Sequence, residues 1–359
     1  MSKYLQQWLI IFLLALIPGI SFGARDPVQT EFYKANNPDF QYVGRVDFSN
    51  PLQPRFWMPG VYIRARFTGT RCRIFLNDEQ LYGNHNYIEI IIDDQPPFRI
   101  RTIRSPDTID ISSRLQPGTH TLVICKDSES GIGYLAFLGM ECDQLLPPPA
   151  LPQRKMEFVG NSITCGYGND KTIPCGHGVW YDQENAYESY APVTARALHA
   201  QWYISAVSGV GLIHSCCGMN IIMPPVYDKV DMRGDSIQWD FSRYQPDVLT
   251  ICLGQNDGIQ DSTAFCSAYV KFIGQIRTHD PETKIICLSS PMANAALTRV
   301  LQKYITSIVT HLHDQGDQQV YRFFFSRQFN HGCAGHPDIE EDRQIAGELT
   351  AYVRQVTGW

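Results

Sequence analysis

At 359 residues, with 44% hydrophobic and 18% charged side chains, the chain has the make-up of a folded protein of two domains, not of a disordered, collagen-like or repeat sequence. A formal net charge of −6, with no run of Lys and Arg, argues against nucleic acid or an anionic membrane surface as a partner.

Residues 1–23 read as a signal peptide, excluded from the fold. Lys3 supplies a positive start, Trp8 to Ile17 an apolar stretch, and Ser21-Phe22-Gly23 a small-x-small cleavage site. Pro18 and Gly19 break the apolar stretch too early for a membrane span. The mature chain is expected to begin near Ala24 and to be secreted or periplasmic.

From Phe40 to about Met140 the pattern is short, alternating and punctuated by turns. Gly60–Phe67, Arg71–Leu76, Asn86–Ile92, His120–Cys125 and Tyr134–Leu138 have the period of half-buried strands. Asp93–Pro97 and Gln116–Thr119 are turns. With no helix between them, residues 24–146 are expected to form a β-sandwich of the jelly-roll kind. Such a domain suits either sugar binding or plain packing, and no catalytic constellation is visible in it. Residues 147–154, with Pro147, Pro148, Pro149 and Pro152, read as a stiff linker.

Beyond the linker, over residues 155–359, the period changes. Met156–Val159, Trp202–Val207, Val248–Leu253, Lys284–Leu288 and Tyr321–Phe325 read as buried strands. Helical patterns at Glu184–His199, Ser262–Thr278, Leu297–Leu312 and Ile339–Val356 lie between or after them. Alternation of this kind predicts a parallel sheet in a three-layer α/β sandwich, which binds ligands beyond the carboxyl ends of its strands. Ser162, Ser208-Gly209-Val210-Gly211, Gly254-Gln255-Asn256-Asp257 and Gly332 to Pro337 all fall on that rim.

The rim residues have the chemistry of acyl transfer. A serine at a strand-to-helix turn is exposed on a rigid support, although Ser162 alone also fits a helix cap. His336 is the histidine placed to serve as its base. Asn256 offers a side-chain amide and Gly209 an unobstructed N–H, while Asp257 suits bracing a loop better than chemistry. Trp180, in the Gly-rich loop after Ser162, is a candidate sugar platform; Trp239 reads as packing. Thr164 stands where a Gly-x-Ser-x-Gly elbow needs its second glycine, which excludes that motif. The 11 cysteines leave at least one thiol unpaired. Cys165 and Cys175 are the expected disulfide, and Cys252 and Cys287 are expected to be buried. No metal-ligand spacing occurs, so neither metal nor cofactor is expected.

Gly160-Asn161-Ser162-Ile163-Thr164, Ser208-Gly209-x-Gly211, Gly254-x-Asn256-Asp257 and His336-Pro337 resemble, in that order, the four blocks of the SGNH (GDSL-like) hydrolases. Glu184 to Tyr190, Trp239-Asp240-Phe241, Gln245-Pro246-Asp247 and the preceding β-domain narrow the likeness to carbohydrate esterase family 2. That family removes acetyl groups from plant-wall polysaccharides and their oligosaccharides. The resemblance implies that Ser162 is the nucleophile and His336 the general base, with Ser162 N–H, Gly209 and Asn256 as the oxyanion hole. It also implies acetylated polysaccharide or oligosaccharide as substrate, and a monomer is expected. Two departures stand out. Asn161 replaces the usual aspartate before the serine. Cys333 and Ala334 occupy the positions where the family's supporting Asp precedes the histidine. A Ser–His dyad is therefore expected, its imidazole held by a backbone carbonyl, with Asp338 a poor substitute acid. Two alternatives keep the scaffold: a carbohydrate-binding protein with weak turnover, and a lipase or thioesterase of other specificity.

Overall fold

The computed structural model describes residues 30–93, 95–234 and 237–359, so the expected signal peptide lies outside the described residues. Nine strands form the first domain: β1 (Glu31–Lys34), β2 (Gln41–Val43), β3 (Arg55–Phe56), β4 (Tyr62–Asp78), β5 (Tyr87–Ile92), β6 (Phe98–Arg101), β7 (Asp107–Asp110), β8 (Thr119–Lys126) and β9 (Leu135–Leu146). All their pairings are antiparallel, along β1-β9-β4-β8-β5-β6, with β2 and β7 added to β4 and β3 to β9. The long β4 joins the two halves of the domain. Its first half buries Ile63, Ala65 and Phe67; its second buries Cys72, Ile74 and Leu76. The inward set moves from odd to even numbers across the irregularity between Thr68 and Cys72, as a bulge requires. The first half pairs with β8 and the second with β7, so one strand serves both faces. The shortest strands were not visible in the sequence because two to four residues carry no period.

The second domain has a five-stranded parallel sheet ordered β11-β10-β12-β13-β14: β10 (Arg154–Gly160), β11 (Ala200–Ala206), β12 (Val248–Ile251), β13 (Lys284–Leu288) and β14 (Val320–Phe323). The helices are α1 (Ser162–Cys165), α2 (Tyr190–Ala197), α3 (Met223–Val226), α4 (Ser262–Arg277), α5 (Ala295–Asp314) and α6 (Ile339–Thr357). Helix α6 packs on α2 and α4 on α5; with the usual right-handed crossovers, the opposite directions of travel from β10 put the two pairs on opposite faces. The strand order reverses between β10 and β12, which opens the crevice into which Ser162 and Asn256 are delivered. Helix α2 is shorter than its pattern predicts. Trp180–Gln183 form a single 3₁₀ turn, and the carbonyls of Tyr181, Asp182 and Glu184 accept hydrogen bonds from the Arg99 guanidinium of the β-domain. Beyond it the N–H groups of Asn185, Tyr187 and Glu188 donate to the side chains of Asn169, Asp127 and Asn185, so no helix forms before Tyr190.

The prolines do not hold the domains apart. Tyr62 stacks on Trp202 at 4.1 Å, and Trp202 Nε1 donates to the Gly60 carbonyl at 2.9 Å. Arg45 makes a buried ion pair with Glu157 at 3.1 Å and also donates to the carbonyls of Tyr227 and Lys229. A buried pair contributes little net stability, but removing one partner costs about 3–5 kcal/mol because the other charge is stranded. These contacts make the β-domain a wall of the second domain. Among the described residues no helix is long and apolar enough to cross a membrane.

Candidate active site

Strand β10 ends on Gly160, where a Cβ would lie 2.0 Å from Thr164 Oγ1; only glycine lets α1 fold back on the strand this closely. The cap of α1 is Asn161, not Ser162. Its Oδ1 accepts from Ile163 N at 3.2 Å, and its Nδ2 donates to the Cys252 carbonyl at 3.3 Å. An aspartate here could keep the first contact but has no proton for the second. With the cap supplied by its neighbour, Ser162 leaves its hydroxyl to the crevice.

His336 Nε2 lies 2.8 Å from Ser162 Oγ. The carbonyl hold expected on the other ring nitrogen is not formed: Nδ1 is buried without a hydrogen-bond partner. Burial pushes the imidazole below its ordinary range, opposed by the carbonyls of Ala334 and Cys333, which influence the ring without reaching hydrogen-bond geometry. The ring is carried by a tight turn. Ala334 has φ +52° and Gly335 φ +72°, and the Cys333 carbonyl accepts from His336 N at 3.1 Å within this turn. The Tyr167 ring instead lies 4.6 Å from the imidazole, and Trp180 stacks on Tyr167 at 5.6 Å.

Asp338 is engaged elsewhere. It caps α6 by accepting from Glu341 N at 2.9 Å, and it pairs with Lys171 at 2.6 Å. Burial alone would raise its carboxyl, but the Lys171 ammonium and the Glu341 N–H outweigh that and hold it below the usual range.

Gly209 has φ +84°, and a Cβ there would meet Met219 Sδ at 2.6 Å. Asn256 Nδ2 donates to the Val210 carbonyl at 2.8 Å, which orients the amide and leaves its second N–H toward the cavity. Asp257 braces the loop: its carboxylate accepts from Leu212, Ile213 and His214 N–H at 2.9, 2.7 and 3.0 Å. Ser162, Tyr167, Trp180, Gly209, Asn256 and His336 all line one cavity of about 450 Å³. Trp180 is 44% exposed at its rim, whereas Trp239 is buried. A hollow of about 460 Å³ beside Lys155, Asp247 and Asp280 contains neither a serine nor a histidine.

The expected Cys165–Cys175 disulfide is overturned. Cys175 is bonded to Cys333, and Cys165 is a free thiol facing the core, where burial pushes it far up. Cys165 lies on α1 with its side chain inward, while Cys175 sits at the surface beside the turn that carries His336. Cys252 and Cys287 are buried and free. The bridge ties the Trp180 loop to the histidine turn, so Cys175→Ser is expected to remove about 2–5 kcal/mol of stability. It should also lower kcat more than it raises KM. A cross-linked Cys175–Cys333 peptide under non-reducing digestion checks the bond, and an unchanged unfolding midpoint and kcat would count against its role. Among the described residues no group of three or more His, Cys, Asp or Glu could hold a metal ion.

Several lining residues were missed by sequence reasoning, among them Tyr167, Met219, Arg233 and Glu129. Glu129, from the turn after β8, reaches the cavity from the β-domain. Ser128-Glu129-Ser130 has no pattern that distinguishes it from any other polar turn.

The family profile described as carbohydrate esterase 2 N-terminal matches residues 42–149, and that of the GDSL-like lipase/acylhydrolase family matches residues 158–355. An acetylxylan esterase/glucomannan deacetylase of Cellvibrio japonicus is 30% identical over 343 residues, covering 92% of each chain. A cellulase/esterase of Acetivibrio thermocellus is 34% identical over 336 residues; they make up 90% of this chain but only 40% of that protein. A solved family two carbohydrate esterase from Clostridium thermocellum, in complex with cellohexaose, matches with a TM-score of 0.81 at 32% identity, covering 89% of this chain and 99% of that one. The chain belongs to carbohydrate esterase family 2 of the SGNH (GDSL-like) hydrolases and is a carboxylic ester hydrolase.

Proposed function

We propose that this esterase removes O-acetyl groups from plant-wall polysaccharides or their oligosaccharides through an acyl-enzyme on Ser162. The observation that carries the reading is the 2.8 Å contact between His336 Nε2 and Ser162 Oγ. His336 takes the hydroxyl proton as Oγ attacks the acetyl carbonyl, then returns it to the departing sugar oxygen. Water repeats the sequence on the acyl-enzyme and releases acetate. The backbone N–H groups of Ser162 and Gly209 and the Asn256 amide receive the oxyanion. Trp180, exposed and backed by Tyr167, offers a flat apolar face for a sugar ring. The relatives named for acetylxylan and glucomannan, and the one bound to cellohexaose, support a β-linked glycan at this rim. The Cys175–Cys333 disulfide supports action outside the cytoplasm.

Turnover on acetylated xylan, acetylated glucomannan and nitrophenyl esters of increasing acyl length tests the reading. Acetyl esters should be preferred; a maximum at long acyl chains would favour a lipase instead. Asn256→Ala should lower kcat by about 10²–10³, the usual cost of one oxyanion donor. An effect confined to KM would show that Asn256 binds only the ground state.

A further inference from the structure

The cavity is not built by the catalytic domain alone. Glu129 stands in the turn between β8 and β9, is 1% exposed, and accepts a hydrogen bond from Ser208 N at 2.9 Å through Oε2. Ser208 immediately precedes Gly209. The other anchors of this turn come from the catalytic domain: the Gly209 carbonyl accepts from Cys216 N at 2.9 Å, and the Val210 carbonyl accepts from Asn256 Nδ2 at 2.8 Å. Gly209 sits at φ +84°, a conformation that its neighbours must hold. Among the described residues, the Ser208 end of the turn is the part held from outside the domain.

We propose that Glu129 of the β-domain is a positioning residue of the esterase, its carboxylate fixing the Ser208 peptide so that Gly209 N–H faces the oxyanion formed at Ser162. The inference rests on the reading of Gly209 as an oxyanion donor.

The surroundings of Glu129 are built to keep it in place. Its backbone N–H donates to Glu184 Oε2 at 3.2 Å, and its carbonyl accepts from Lys126 Nζ at 3.2 Å. Lys126 is fully buried and donates to the Ser128 carbonyl as well. The turn is thus clamped from both sides, by a cation of its own domain and a carboxyl of the other. Burial, followed by the charge of Glu129, raises the Glu184 carboxyl far above its ordinary range, which favours the neutral form there. A displacement of about 1 Å at a catalytic donor is enough to cost up to roughly 10²-fold in rate. A β-domain placed loosely beside the sheet could not hold Ser208 that closely, which gives the tight domain contact a catalytic purpose.

Two substitutions in the full chain separate reach from charge. Glu129→Asp keeps the charge but shortens the side chain by one methylene. Glu129→Gln loses the charge but keeps an acceptor oxygen at the same reach. With nitrophenyl acetate, Glu129→Asp should lower kcat by about tenfold or more with KM nearly unchanged. Glu129→Gln should hold kcat within about threefold of the parent, since a neutral acceptor weakens the bond without moving it. The reverse order would assign Glu129 to charge stabilisation and overturn the proposal. So would equal losses in both variants, a change only in KM, or two variants indistinguishable from the parent. Ser162→Ala in the same assay separates this failure from a wider one. If it stays active, the nucleophile assignment itself is wrong; if it is inactive while Glu129→Asp is normal, only Glu129 loses its role.

Discussion

Ser162→Ala is expected to lower turnover of acetyl esters by about 10⁶-fold while leaving the unfolding midpoint and oligosaccharide binding close to the parent. The structure makes the substitution clean. The Ser162 side chain hydrogen-bonds only to His336 among the described residues, and Asn161, not Ser162, caps α1. Losing the hydroxyl therefore unties no helix and leaves only His336 Nε2, on a ring that lines the open cavity, without its partner. What remains is a cavity with its oxyanion donors and Trp180 intact. Such a site still binds, and still speeds hydrolysis by about 10³–10⁴ over water through polarisation alone. Steady-state rates on nitrophenyl acetate, beside calorimetric titration with a cello- or xylo-oligosaccharide, measure the two halves separately. Turnover near the parent would remove Ser162 from the mechanism. Lost binding with normal folding would mean that the hydroxyl holds substrate instead of attacking it.

Where each rim residue falls could be read from the sequence because a parallel sheet converts strand ends into one surface. Once β10, β11 and β12 are recognised, Gly160, Ser208 and Gly254 must lie on the same edge, whatever the loops do. Helices α4, α5 and α6 were equally plain, each having a long apolar stripe. Helix α2 was not, because the N–H groups of Asn185, Tyr187 and Glu188 donate to the side chains of Asn169, Asp127 and Asn185 and not to a helical ladder. The disulfide failed for a related reason. Sequence nearness favoured Cys165, but the partner of Cys175 is 158 residues away, and only the fold brings the two loops together. Glu129 was invisible for the same cause. A carboxylate in a polar turn gains its meaning from Ser208, which lies across the domain boundary. Local pattern shows which face a residue takes; partners from distant segments have to be seen.

His336→Ala should be as damaging as loss of Ser162, about 10⁶-fold in kcat, because nucleophile and base act as a unit. The sharper test is the acid. Asp338 spends its oxygens on Glu341 N–H and Lys171, and His336 Nδ1 has no partner, so Asp338→Asn should change kcat by no more than about threefold, against about 10⁴ in an Asp-supported triad. Asparagine caps a helix as well as aspartate does, and the Lys171 end of the ion pair is exposed, so stability should move by about 1 kcal/mol or less. The pH profile follows from the same geometry. Burial lowers the imidazole from its ordinary range, and no carboxylate restores it. The base works when neutral, so kcat/KM should rise with pH, with its midpoint below about 6.5, and stay level into mild alkali. A carboxylate partner would shift that midpoint the other way, since it favours the charged ring. A midpoint above 7 combined with a 10⁴-fold loss in Asp338→Asn would mean that Asp338 turns toward the ring during catalysis. If Asp338→Asn is nearly neutral and the acid limb lies low, the imidazole is held without an acid, by the Tyr167 ring and by the turn that the Cys175–Cys333 bridge pins in place.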